Sequence, residues 1–116
     1  MIAIIFEVWP AEGQSQNYLD LAAEMKSEVM KIDGFISVER FQSLTDPSKL
    51  LSISFWRDEE AVKAWRNLPA HRRTQSKGRA GLFSDYRLKV LSVIRDYGMT
   101  DRAEAPADSI VAHRTI

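Results

Sequence analysis

The segment FISVERFQSLTDPSKLLSISFW, residues 35–56, contains two runs of β-branched and aromatic residues separated by a turn. Strands are predicted over residues 35–43 and 50–56, because such side chains suit a pleated surface. Thr-Asp-Pro-Ser at 45–48 supplies typical turn residues between the two runs. The segment is therefore predicted to form a β-hairpin, and the elements on either side of it decide the fold.

The hairpin is preceded by one strand and one helix in the predicted order. Residues 2–9 are β-branched and aromatic, and residues 15–32 carry apolar side chains at helical spacing up to a stop at Gly34. After the hairpin, Asp58 is a predicted helix N-cap. Pro69 either interrupts that helix or starts a second short one, and residues 83–94 predict a long fourth strand.

The order β-α-β-β-α-β is the ferredoxin-like arrangement, an α+β fold with a four-stranded antiparallel sheet and two helices on one face. Both faces of the predicted sheet are apolar, and an uncovered apolar face usually marks an interface. A symmetric homodimer with facing sheets is the simplest solution. Residues 1–97 form the expected domain. Residues 98–116 read as a polar tail, in which Ile110, Val111 and Ile116 could pack on the partner subunit.

Composition excludes several classes of function. The 116 residues include sixteen basic and sixteen acidic side chains, which argues against a general nucleic-acid binder. The absence of cysteine excludes disulfides and thiolate metal sites. The sequence also has no cluster of histidines spaced as metal ligands, so no metal centre is predicted. The opening MIAIIFEVWP lacks a basic leader and is too short to span a bilayer. A cytoplasmic protein without a membrane partner is expected.

The stretch AWRNLPAHRRTQ, residues 64–75, concentrates the candidate chemistry. Trp65 is either a cavity wall or an ordinary core residue. His71 is either a general base or an exposed residue beside the Pro69 turn, and it becomes a site residue if Pro69 turns it inward. Arg72 belongs to a basic run that is either a solvated helix face or an anion clamp at a cavity mouth.

Glu7 is an unusual residue for an apolar strand. Burial would raise the pKa of its carboxyl group and make it a plausible base. The alternative is an ion pair with Arg40 or Arg87. The sequence leaves both roles open.

AVKAWRNLPAHRR, followed by FSDYRLKVLSVIRDYG, resembles the antibiotic biosynthesis monooxygenase domain family. The Trp65-to-His71 spacing, the strand from Phe83 to Tyr97 and the MIAIIFEVWP opening carry the resemblance, which covers roughly residues 1–97. It implies a dimeric α+β barrel in which each subunit holds a cavity between helices and sheet. Some members oxidise aromatic phenols to quinones with O₂ and neither metal nor flavin.

A haem-degrading branch of the family has an Asn in the first strand, a Trp on the second helix and a His ten residues later. Trp65 matches this pattern, whereas Glu7 lies near the Asn position and Gln75 stands at the His position. Glutamine is a poor iron ligand. Haem binding or degradation is therefore the alternative, and a non-catalytic dimer that binds a small ligand or acts in stress tolerance is a third possibility.

The function expected from the sequence is oxidation of a small phenol or quinol by O₂ without a cofactor. His71 or Glu7 would act as the base in a water-excluding pocket. The expected substrate-binding residues are Trp65, Leu68, Phe83, Tyr86, Gln75 and Arg72.

Overall fold

The computed structural model describes residues 1–113. The elements run in the order β1 (Ile2–Pro10), α1 (Ser15–Val29), β2 (Phe35–Gln42), β3 (Leu50–Trp56), α2 (Glu59–Arg66), α3 (Pro69–Lys77), β4 (Phe83–Ser92) and α4 (Ala107–Ala112). A short segment over Gly78–Leu82, kinked at Gly81 where φ is 136°, joins α3 to β4. The strands form one sheet in the order β2-β3-β1-β4, and every neighbouring pair is antiparallel. This confirms the predicted ferredoxin-like fold.

Local signals decide where the two middle helices start. The Asp58 side chain accepts a hydrogen bond of 2.9 Å from the backbone N–H of Ala61, so Asp58 caps α2 as predicted. Pro69 lies in the first turn of α3, directly after extended backbone at Leu68. Pro69 was expected either to interrupt the helix after Asp58 or to start a second short one. In the structure it starts the second helix, α3. Proline suits this position because its missing N–H would have no helical partner there.

The two faces of the sheet differ in burial. Along β3, Ser52, Ser54 and Trp56 point toward the helices and are buried, whereas Leu51 and Ile53 point away and are only half-buried. The face without helices is mostly apolar, with Ile5, Leu51, Ile53, Phe55, Phe41 and Leu91 on it. The expected apolar second face is therefore present in the protomer.

The strand β4 departs from simple alternation at its start. The pairing with β1 shifts register between Trp9 and Pro10, opposite Phe83 and Asp85. An irregularity of this kind interrupts the regular alternation of side chains between the two faces of the sheet. Phe83 and Tyr86 consequently both pack on Phe6, with ring centroids 5.9 Å and 5.8 Å away. Strict period-two alternation would place these two side chains on opposite faces, and the shift in register brings them to the same one.

The segment after the fourth strand includes the short helix α4, which has no buried residue. The described chain has a radius of gyration of 17.1 Å, larger than the ~13 Å typical of a compact chain of this length. Ile110 and Val111 are exposed on α4, while Ile116, also expected to contact a partner, lies outside the described residues. Packing of this segment on a second subunit remains a prediction.

Candidate active site between the helices and the sheet

A cavity of about 100 Å³ lies between the helices and the covered face of the sheet. Every strand contributes to its wall, together with α1, α2 and α3. The walls are mostly apolar and aromatic. Two small residues of β3, Ser52 and Ser54, stand where larger side chains would fill the space.

One wall is a row of contacting rings formed by Phe35, Trp56, Trp65 and His71. Trp56 is fully buried, and its indole N–H donates a 2.9 Å hydrogen bond to the Ser54 hydroxyl. Its ring lies 5.2 Å from that of Phe35 and 5.2 Å from that of Trp65. The Trp65 ring in turn lies 4.3 Å from the His71 imidazole. Trp65 is therefore both a packing residue and a cavity wall.

A second group of rings, the tyrosine cluster, is formed by Phe6, Tyr18, Phe83 and Tyr86, with centroids 5.5–6.4 Å apart. All four rings line the cavity. Gly78 makes room for this arrangement, because a Cβ at that position would lie 2.3 Å from Cε2 of Phe83. A glycine at the end of α3 thus allows Phe83 to reach the cavity wall.

His71 is the buried histidine of this site. Only 8% of its surface is exposed, and its ring lies against Trp65 on the cavity wall. Burial, followed by the positive charge of Arg72, lowers the pKa of the imidazole from 6.5 to about 4. The side chain is therefore neutral at pH 7, with a ring nitrogen available to accept a proton. Pro69 turns His71 inward by starting a new helix two residues earlier.

The structure brings together five of the residues expected from the sequence. Trp65, His71, Gln75, Phe83 and Tyr86 all line the cavity. Leu68 lies instead in a groove on the outer side between α1 and α3. Arg72 is exposed, and its guanidinium donates a 2.9 Å hydrogen bond to the Asn67 side chain. The structure does not bring these last two side chains to the cavity.

Glu7 lies on the opposite face of the sheet from the cavity. It is paired in register with Leu51, whereas the neighbouring residues Phe6 and Ser52 line the cavity. Its carboxylate accepts a 2.6 Å hydrogen bond from the Lys89 ammonium and lies 3.2 Å from that of Lys49.

The expectations for Glu7 are corrected on two points. Hydrogen bonds from Lys89 and then Lys49 lower the pKa of its carboxyl group, where burial was expected to raise it. Its ion-pair partners are these lysines, and neither Arg40 nor Arg87. Arg40 lines the cavity on the other face and therefore cannot reach Glu7. A paired carboxylate of low pKa is a weak base and lies away from the cavity.

We expect Glu7→Gln to leave the rate of substrate oxidation within about twofold of the wild type, against about 10²-fold for loss of a general base. The amide keeps the shape of the side chain and removes only its charge. Steady-state oxygen uptake by the two proteins measures the difference. A hundredfold loss in a folded Glu7→Gln variant would return Glu7 to the mechanism.

Several cavity residues were missed by sequence reasoning. Lys26 and Met25 come from α1, Arg40 from β2, and Ser52 and Ser54 from β3. One signal was available, because LSISF alternates small and large side chains and so leaves room on one face of the strand. Nothing local to Lys26 distinguishes it from the other charged residues of α1.

Within residues 1–113, no group of three or more His, Cys, Asp or Glu side chains is placed to hold a metal ion. No helix in the same part of the chain is long and apolar enough to cross a membrane.

The sequence from residue 1 to residue 77 matches the family model of antibiotic biosynthesis monooxygenases. The chain belongs to this family. A relative in the same group, Jasmonate monooxygenase ABM of Pyricularia oryzae, is 44% identical over 90 residues, or 78% of this chain and 42% of the relative. The chain therefore spans less than half the length of that family member.

Solved structures share the monooxygenase-family fold at low sequence identity. Rv0793 from Mycobacterium tuberculosis superposes with a TM-score of 0.75 at 18% identity, over 84% of this chain and 98% of that one. SnoaB from Streptomyces nogalater, described as a cofactor-independent oxygenase, has a TM-score of 0.71 at 13% identity. That match covers 82% of this chain and 94% of SnoaB. The fold of this family thus occurs in an oxygenase that works without a cofactor.

Proposed function

We propose that this protein is a monooxygenase that oxidises a small phenol or hydroquinone with O₂ in the cavity, without a bound cofactor. The observation that carries the proposal is a buried, neutral imidazole on the wall of a mostly apolar cavity. Membership of the monooxygenase family supports the class of reaction. The similarity of the fold to a cofactor-independent oxygenase supports the absence of a cofactor.

The proposed reaction balances without an added reductant. A phenol and O₂ give a para-quinone and water, and a hydroquinone and O₂ give a hydroxyquinone and water, so in both cases the substrate supplies all four electrons that reduce O₂. The phenol passes one electron to O₂ while its hydroxyl proton moves to His71. The ring radical and superoxide then combine to form a C–O bond. Loss of the ring hydrogen as a proton and cleavage of the O–O bond release water and leave the second carbonyl.

His71 suits this first step despite its low pKa. A phenol that has lost an electron is a far stronger acid than the neutral phenol, so a weak base can accept its proton. The imidazole must be neutral to do so, and burial keeps it neutral at pH 7. The apolar walls exclude water from the radical pair, which limits escape of superoxide. Trp65, Phe83, Tyr86 and Gln75 would contact the ring of the substrate.

The small cavity volume favours a substrate with a single ring over a polycyclic one. An engineered cavity of about 150 Å³ accepts benzene, and the cavity described here measures about 100 Å³. A one-ring substrate would therefore sit partly in the mouth of the cavity. Leu68 and Arg72 are too far from this wall for the binding roles expected from the sequence.

The small volume of the cavity argues against haem as the ligand of this site. Drug-sized ligands occupy pockets of about 300–1,000 Å³, and haem is larger than most of them, whereas the cavity measures about 100 Å³. Gln75 does line the cavity, but its amide is a poor iron ligand. The structure therefore favours a small substrate over the haem-degrading alternative.

Oxygen uptake with a panel of one-ring hydroquinones and phenols tests the proposed function. We expect saturable, protein-dependent uptake that consumes one O₂ per phenol converted to quinone and needs no added metal, flavin or reductant. Jasmonate belongs in the panel because the 44% identical relative is named for it. A substrate that is not a phenol would need a two-electron reductant, so it is assayed with and without NADPH. No uptake with any of them would favour a non-catalytic binding protein.

We also propose that two protomers pair through the apolar faces of their sheets. Ile5, Leu51 and Ile53 lie in the middle of that face and are only half-buried in the protomer. The charges of Glu7, Lys49 and Lys89 lie on the same face and would fix the register of such a pair.

A further inference from the structure

The mouth of the cavity carries positive charge. Nearly all residues that line the cavity are buried or half-buried, and the few exposed ones mark where it opens to solvent. These exposed residues are Lys26, Arg40 and Leu88. Lys26 projects from α1 and Arg40 from β2, so the two cations come from the helix layer and from the sheet. A ligand entering between them would pass both.

Neither cation is neutralised within the described part of the chain. Among residues 1–113, no ion pair includes Lys26 or Arg40, although Glu7, Glu28, Asp33 and Asp58 all pair with other basic residues. The residues of that range that line the cavity include no Asp or Glu. In a chain of zero net charge, this opening therefore carries charge of a single sign. A cleft with charges of one sign and apolar walls concentrates the electric field on an incoming ligand.

We propose that the substrate is a hydrophobic ring bearing a carboxylate, with the ring in the cavity and the carboxylate held at the mouth by Arg40 and Lys26. The inference rests on the proposed function, because it names the substrate class of the same site. A guanidinium can hold a carboxylate with two parallel hydrogen bonds, and an ammonium adds a second charge-assisted donor. The small volume of the cavity supports the same class, since the polar part of the molecule must stay at the mouth.

Anaerobic calorimetric titration tests this pairing without turnover. The probes are 2,5-dihydroxybenzoate, 2,5-dihydroxyphenylacetate and 3-(2,5-dihydroxyphenyl)propionate, each compared with its methyl ester. The ester keeps the hydroquinone ring and removes only the negative charge. We expect at least one acid to bind about tenfold more tightly than its ester, on the scale of two charge-assisted hydrogen bonds in a partly exposed site. Ionic strength near 1 M, where the Debye length is about 3 Å, should reduce that preference.

Three substitutions identify the residues responsible. Lys26→Gln and Arg40→Gln should each weaken binding of the preferred acid several-fold and leave binding of its ester unchanged. Lys31→Gln is the matched control, because Lys31 follows α1, is exposed, and pairs with Glu28 away from the cavity. This substitution removes the same formal charge and should leave the binding of both the acid and its ester unchanged. Circular dichroism and thermal melts confirm that all three variants remain folded.

The proposal fails if no acid of the series binds more tightly than its ester, or if Lys31→Gln weakens the acid as much as the mouth variants do. These outcomes are distinct from failure of the proposed function. Preferential binding of an acid with no oxygen uptake would support the carboxylate site and remove the oxygenase activity. Equal binding and equal oxidation of acid and ester would support the oxygenase activity and remove the carboxylate site.

Discussion

His71→Ala is expected to lower the rate of quinone formation by about 10²-fold or more, with oxygen uptake reduced in parallel. This is the scale of one general base. It corresponds to about 2.7 kcal/mol of lost transition-state stabilisation. The cause is loss of the one ring nitrogen in the described cavity wall that can accept a proton as the phenol passes an electron to O₂. The Michaelis constant should change less than kcat, because the apolar walls that hold the ring remain.

Two controls separate a chemical role for His71 from a packing role. His113→Ala removes the other histidine, which lies at the end of α4 and is exposed, and it should leave the rate unchanged. Added imidazole should restore part of the activity of His71→Ala, because alanine leaves space beside Trp65 that a free imidazole can enter. A purely structural role would not respond to imidazole in this way. An unchanged rate in the folded variant would remove His71 from the mechanism.

The stability of the protein is expected to fall between pH 6.5 and pH 4 because of His71. Folding lowers the pKa of this imidazole from 6.5 to about 4. In that pH window the unfolded chain therefore binds a proton that the folded chain does not. Stability due to this group is fully present above pH 6.5 and decreases as the pH falls. The loss reaches about 3 kcal/mol by pH 4, at 1.36 kcal/mol per unit of pKa difference.

Urea unfolding of the wild type and of His71→Asn across this pH range measures the effect. Asparagine is polar and of similar shape but does not titrate, so the difference between the two proteins isolates the imidazole from the carboxylates that also protonate. We expect the wild type to lose stability relative to the variant as the pH falls from 6.5 to 4. Parallel curves would mean that His71 titrates normally and is not buried in solution.

The order of elements and the position of most boundaries were predictable because their signals are local. The alternation along β3, the Asp58 cap and the stop near Gly34 each act within a few residues. This order of elements also leaves few possible fold classes, since a hairpin flanked by two helices and two outer strands has few compact arrangements. The register shift at Trp9 and Pro10 was not predictable, because it depends on how β1 and β4 meet in space.

The candidate site was predictable in part. Trp65, His71 and Gln75 lie close together in sequence on α2 and α3, and the stretch that holds them was expected to carry the site, with Gln75 singled out through the family resemblance. The ion pair of Glu7 was foreseen but its partners were predicted wrongly, because the face on which a strand residue lies and the cations that reach it depend on neighbouring strands. The lysines that pair with it are 42 and 82 residues away along the chain.

The sequence by itself determined the ferredoxin-like order of strands and helices, the apolar character of both sheet faces and the likeness to a family of monooxygenases. Each of these follows from residue type and short-range spacing. The tertiary structure alone decided that His71 points inward, that Glu7 lies outside the cavity, and that Lys26 and Arg40 both line its exposed rim. Burial, pKa and charge pairing depend on side chains brought together from distant parts of the chain, and only the packed fold sets those distances.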